Sequence, residues 1–282
     1  MKYSISNWIY GPEPVEKAFK RVSKFNYDGI EIVGEPTKIN IKEMLELSKK
    51  YNIKITSMAG QYNWSSNDSK RDFSNPDIKE RNKAIDYMCE CLEICKTLGA
   101  KCITFLPNSV GKTKPSISME KDWENSVKAT KEAAKVAEKL GIFIAVEPIN
   151  RYEAYLVNNV NQGLKYVYDC DSPAVKIMLD CFHMNIEEQD LTFAIRQAKD
   201  LMVNFHVADS NRQTVGRGNI DFKTIVHTLI EIDYKGYVTL EPLPPIADPS
   251  LALELEQPEE ISDIFAKEAI ELLKIYEEMV LI

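Results

Sequence analysis

The chain has no continuous apolar run approaching the roughly 18 residues of a membrane span, which excludes a helical membrane protein. It has no excess of positive charge: 35 Lys and Arg stand against 43 Asp and Glu, for a net charge of -8. Nucleic-acid binders usually show a basic face, so this balance argues against one. It has no C-x-x-C pair among its six cysteines, Cys89, Cys91, Cys95, Cys102, Cys170 and Cys181. Cys91 and Cys95 share a helix face, and Cys102 and Cys181 lie in or beside apolar strands. The set reads as buried, reduced thiols of a cytoplasmic protein. The first residues, Met1 to Ser6, enter a strand-like segment at once, so no cleaved secretory signal is expected. No low-complexity linker divides the chain, and residues 1–282 are expected to form one domain.

What is present is a repeat of strand and helix. Apolar, β-branched runs end near Ser6, Val33, Met58, Leu106, Glu147, Asp180, His206 and Glu241. Amphipathic segments fill the gaps. Pro14 suits the first position of a helix running into Val15. Asn75-Pro76 opens a long helix whose apolar face includes Ile85, Met88, Leu92 and Cys95 and which Gly99 stops. A second runs from about Ser118 to Leu140, stopped by Gly141. A last helix spans about Glu259 to Val280, with Ile264, Leu272, Ile275 and Met279 at helical spacing. Eight such units predict an α/β fold, a single closed (β/α)8 barrel. An open doubly wound sheet would usually carry G-x-G-x-x-G after its first strand. That position here reads Asn7-Trp8-Ile9-Tyr10-Gly11-Pro12.

Runs five to eight each end in a side chain able to bind a metal: Glu147, Asp180, His206 and Glu241. On neighbouring strands of a barrel the four converge at one mouth. Three hard oxygens and one nitrogen suit Mn²⁺, Mg²⁺ or Co²⁺ with positions left for water or substrate. A lone carboxylate at a strand end is more often a cap or a solvated charge. Four at the same relative position argue for a site. Trp8, Tyr10 and Trp64 would supply an apolar wall for a substrate, although aromatics at strand ends are as often core residues.

Three segments carry a family resemblance: Glu147-Pro148-Ile149-Asn150-Arg151-Tyr152-Glu153, Asp180-Cys181-Phe182-His183-Met184-Asn185-Ile186-Glu187-Glu188, and His206-Val207-Ala208-Asp209-Ser210-Asn211-Arg212. They resemble the signature of the ketose 3-epimerases, within the sugar isomerase and epimerase superfamily with a xylose-isomerase-like barrel. The resemblance implies that Glu147, Asp180, His206 and Glu241 hold the metal, most commonly Mn²⁺ or Co²⁺ and sometimes Mg²⁺. It implies that Glu147 and Glu241 act as acid and base, and that Glu153, His183 and Arg212 hold the sugar. Related barrels are often dimers or tetramers, so a homo-oligomer is expected. The chain departs from the well-characterised enzymes where they carry Gly-Glu after the histidine, with Ala208-Asp209 instead. It departs again at Thr214-Val215-Gly216-Arg217-Gly218, which lacks a proline before the G-x-G.

These residues suit the chemistry implied. Epimerising a carbon beside a ketone removes its proton and returns it from the other face through an enediolate, whose charge a divalent cation stabilises. Two carboxylates on opposite faces serve as base and acid. Arg212 offers a planar donor fork for sugar oxygens. Neither Lys112 nor Arg217 sits in a phosphate motif, which favours an unphosphorylated ketose or keto sugar acid. The same scaffold also hosts aldose–ketose isomerases and inosose dehydratases. A DNA-repair endonuclease of this fold would need a histidine-rich multi-zinc site, and the chain has three histidines.

Overall fold

A computed structural model describes residues 1–60, 71–243 and 258–280, and Trp64 lies outside them. Eight strands form a closed barrel in sequence order. They are β1 (Tyr3–Ser6), β2 (Gly29–Val33), β3 (Lys54–Ala59), β4 (Cys102–Phe105), β5 (Phe143–Val146), β6 (Val175–Asp180), β7 (Met202–Val207) and β8 (Tyr237–Leu240). Every neighbouring pair is parallel, and β1 closes on β8 with Ser4 opposite Thr239. Parallel strands buried on both faces read as continuous apolar runs, which is why these were legible.

The helices are α1 (Val15–Lys24), α2 (Ile41–Tyr51), α3 (Ile78–Leu98), α4 (Met119–Leu140), α5 (Val160–Cys170), α6 (Cys181–Glu187), α7 (Leu191–Ala198), α8 (Phe222–Glu231) and α9 (Glu259–Val280). Their starts follow the hydrogen bonds open to the first turn. Ser118 caps α4 through Lys121 N at 3.1 Å. Asp77 caps α3 through Lys79 N at 2.8 Å, so α3 begins two residues beyond the Asn75-Pro76 expected to open it. Asn75 instead holds Asp77 N at 2.9 Å, shaping the approach to that cap. Pro14 is the cap of α1 and not its first residue, since its ψ of 132° is extended. Gly99 and Gly141 end α3 and α4 at φ +82° and +69°, in the left-handed region where glycine carries no Cβ penalty.

The core face of α9 differs from the one expected. Phe265, Ala266, Ala269, Ile270 and Leu273 are buried, whereas Ile264, Ile275 and Met279 are 45%, 46% and 50% exposed. Apolar residues lie on both sides of this helix, so periodicity alone does not choose between them. The small Ala266 and Ala269 mark the side that approaches the barrel, where α9 packs on α8 and α1. All six cysteines are free, and burial pushes the Cys91 and Cys170 thiols up to about 12. No helix among the described residues is long and apolar enough to cross a membrane.

The reassigned face of α9 sets a stability test. Leu273→Ala should cost about 2–5 kcal/mol by opening a buried cavity. Ile275→Ala should cost less than about 1 kcal/mol, because its side chain is already half in water. A loss for Ile275→Ala that matched or exceeded that for Leu273→Ala in chemical denaturation would contradict this assignment of the packed face.

Candidate functional site

The barrel delivers four candidate metal-binding side chains to its C-terminal mouth. Glu147 and Glu241 each follow the last residue of a strand, and their N–H groups continue the ladder to Phe105 O and Val207 O, both at 2.9 Å. Asp180 is the last residue of β6 and sits opposite His206 on β7. The four are buried, and one ligand atom from each lies within 4.8 Å of every other. The convergence expected from the sequence is therefore present.

Three carboxylates in one dry pocket repel one another, and the surroundings must offset this. Arg212 does so with both arms of its fork, donating from Nη1 to Asp180 Oδ2 at 2.6 Å and from Nη2 to Glu241 Oε2 at 2.7 Å. Its guanidinium stacks on Phe182, 4.5 Å from the ring centroid. Trp8 Nε1 donates to the other oxygen of Glu241. Phe182 N donates to Asp180 Oδ1 at 2.8 Å, because Asp180 also caps α6. Burial alone would raise Asp180, but Arg212, His183 and His206 outweigh it and hold the carboxyl down to about 2. Glu147 is pushed well above the usual carboxylate range by burial and by Glu241 and Asp180, against the opposing pull of His206 and Arg212. Burial lowers His206, but Glu31 and Glu241 overcome it and raise the imidazole well above its ordinary value.

The donor set fits a divalent cation. His206 Nδ1 is buried, has no aligned hydrogen-bond partner among the described residues, and lies 3.2 Å from Glu241 Oε2. A nitrogen left this way among three carboxylates is the chemistry of a mixed oxygen and nitrogen metal centre.

The other expected site residues are placed as follows. His183 is buried beside the centre, with Nε2 3.6 Å from Asp180 Oδ2. Its Nδ1 accepts from Asn150 N at 3.3 Å, which leaves the ring proton on Nε2, facing the centre. Burial lowers its proton affinity, against the pull of Asp180 and Glu153. Glu153 is half-buried at the rim and takes a hydrogen bond from Asn150 Nδ2 at 2.8 Å. Trp8 belongs to the site through Glu241. Tyr10 is a core residue stacked under Arg21, 4.1 Å away, and forms no wall of the site. Arg212 is in the site, but its fork is engaged by two carboxylates and not open as read from the sequence.

Three contributors escaped the sequence reading. Asn150 links His183 to Glu153. Glu31, fully buried on β2, contacts His206. Asp209, noted only as a departure, organises the loop that presents Arg212. Its buried carboxylate accepts from Ser210 N at 2.7 Å, Gly216 N at 2.9 Å and Ile220 N at 3.1 Å. A Cβ on Gly218 would lie 2.2 Å from Asp209 Oδ1, and Gly216 has φ +89°, which accounts for both glycines of the G-x-G. Arg212 itself is held at φ +62°.

A family model described as the xylose isomerase-like TIM barrel matches residues 19–262. The chain is 34% identical over 255 residues to the D-psicose 3-epimerase of Ruminiclostridium cellulolyticum, covering 86% of this chain and 84% of that one. It is 28% identical over 261 residues to the 3-dehydro-D-guloside 4-epimerase of Escherichia coli K12, covering 89% and 96%. The crystal structure of D-psicose 3-epimerase with D-tagatose from Clostridium cellulolyticum H10 superposes with a TM-score of 0.86 at 28% identity, covering 98% and 99%.

Two outcomes follow for Arg212 and the centre. Adding Mn²⁺ to chelator-treated protein should raise Tm in a concentration-dependent way, as expected for a ligand that binds only the folded state. Arg212→Ala should destabilise the metal-free protein by on the order of 3 kcal/mol, since it strands buried carboxylates. Saturating Mn²⁺ should recover most of that loss. Calorimetry showing equal losses with and without Mn²⁺ would contradict the counter-charge role of Arg212.

Proposed function

The chain belongs to the xylose isomerase-like TIM barrel family, with ketose epimerases as its relatives, and on that premise we propose how it works as a carbohydrate epimerase. The reacting carbon is the one beside the ketone of a ketose or keto sugar acid. The names of the two relatives fit this position: C3 of a ketose in one, C4 of a 3-dehydro sugar in the other. The observation that carries the reading is the meeting of Glu147, Asp180, His206 and Glu241 within 4.8 Å at the barrel mouth.

Those four residues would hold a divalent cation, Mn²⁺ in our proposal, with Co²⁺ and Mg²⁺ as substitutes. When bound, it supplies a Lewis acid for the negative charge that develops on the substrate oxygens. Glu147 and Glu241 stand on strands separated around the ring by β6 and β7, so they address a bound sugar from opposite sides. One takes the proton from carbon and the other returns it to the opposite face, exchanging roles with direction. His183 presents its Nε2 proton to a sugar oxygen. Glu153, steadied by Asn150, takes a hydroxyl at the rim. Arg212 turns its fork from the carboxylates to the sugar oxygens, and Trp8 holds Glu241 in place.

An unphosphorylated substrate is part of the proposal. Lys112 is paired with Asp72 at 2.7 Å and Arg217 with Glu268 at 2.8 Å, so neither cation is at the disposal of a phosphate. A cytoplasmic location is supported by six cysteines kept as thiols.

Product analysis on a panel of ketoses and keto sugar acids tests the reading. A new ketose epimer is expected. An aldose would make the enzyme an isomerase, and loss of water would make it a dehydratase. Glu147→Gln and Glu241→Gln should each lower kcat by about 10²–10⁴-fold. Near-wild-type epimerisation by either variant would refute the two-carboxylate mechanism.

A further inference from the structure

Glu31 lies in the middle of β2 between the fully buried Ile30 and Ile32, and is itself inaccessible to solvent. A carboxylate in that position is costly unless hydrogen bonds and charge compensate it. Ser57 Oγ donates to its Oε2 at 2.7 Å, and Asn204 Nδ2 donates to the same atom at 3.0 Å. The Asn204 amide is oriented by Thr239, whose Oγ1 donates to Asn204 Oδ1 at 3.1 Å. The remaining partner is His206, whose Nε2 lies 3.2 Å from Oε2 and 3.2 Å from Oε1. Glu31 thus forms a floor beneath His206, on the side away from the three clustered carboxylates.

A neutral imidazole, the form of His206 able to bind a cation, has two tautomers. With the proton on Nδ1, the bare Nε2 lone pair would face both oxygens of a carboxylate at 3.2 Å in a dry pocket. Asn204 Nδ2, 3.1 Å from Nε2, would be the only donor left to satisfy it among the described residues. With the proton on Nε2, the same contact becomes a charge-assisted hydrogen bond. The lone pair of Nδ1 then lies on the Glu241 side of the ring, 3.2 Å from Oε2, where Nδ1 has no aligned partner. The second arrangement makes a strong bond to Glu31 and leaves the lone pair on Nδ1, 3.2 Å from Glu241 Oε2, where the cation proposed above would take it up.

We infer that Glu31 is a positioning residue of the metal centre: it keeps the His206 proton on Nε2 and so presents Nδ1 to the cation. This rests on the metal centre proposed above. Glu31 is not among the four clustered ligands and reaches the centre through His206. It acts by orienting the ring and by making its free nitrogen a stronger donor.

Two measurements test this. The first needs no variant of Glu31. In ¹⁵N-histidine-labelled protein loaded with Zn²⁺, the three histidines are assigned by replacing His183 and His227 with Gln in turn. His206 should show a protonated Nε2 and a metal-shifted Nδ1. A proton on Nδ1 overturns the inference. The second is titration with Co²⁺ alone, read from its visible absorption. Glu31→Gln keeps the shape and removes the charge, and should weaken Co²⁺ binding by about 10–100-fold. Ser57→Ala, which leaves the carboxylate and removes one donor, should weaken it by less than about 10-fold and stands in if Glu31→Gln does not fold. Equal Co²⁺ affinity in wild type and Glu31→Gln overturns the role of Glu31 while the centre stands. Failure of the wild type to bind Co²⁺ overturns the centre, and the role of Glu31 with it.

Discussion

The structure turns on one electrostatic constraint. Glu147, Asp180 and Glu241 are buried within a few ångströms of one another, and a fourth carboxylate, Glu31, lies beneath them. Negative charges this close are stable only against compensating positive charge and donated hydrogen bonds. Among the described residues, the Arg212 guanidinium and the His206 imidazole supply positive charge from within. A divalent cation is the addition that would complete the balance. A folded protein that concentrates this much buried negative charge has conceded stability for chemistry.

The scaffold is arranged around that constraint. Strand ends fix the four side chains to a ring, so their convergence needs no loop to find its place. Among the described residues, the loop that carries Arg212 is held by its own hydrogen bonds. Asp209 spends its carboxylate on three backbone N–H groups, and the G-x-G lets the chain close around it. Arg212 consequently enters the pocket from a left-handed backbone position and rests on Phe182.

Much of this was legible in the sequence because it repeats. The barrel strands are short apolar runs, and the candidate metal ligands lie within one residue of the ends of four of them. Each signal is weak, and the repetition makes it strong. The residues that escaped notice leave no pattern in the sequence around them. Glu31 meets His206 from 175 positions away, and nothing local marks it beyond a charge between two isoleucines. Asp209 was visible only as a departure, because its partners are backbone N–H groups that carry no sequence signal. Local rules failed in small ways too. Pro14 and Asn75 mark the approach to a helix and not its first turn, and α9 is apolar on two sides, so packing against α8 and α1 decides which one is core.

The central claim is that this pocket removes and returns a proton at the carbon beside a ketone. Turnover of a ketose in D₂O by the metal-loaded protein measures that step directly. The account predicts deuterium at the epimerised carbon of the product, with no label at carbons remote from the carbonyl. A product epimerised without solvent deuterium, in enzyme shown to exchange its active-site protons, would contradict it.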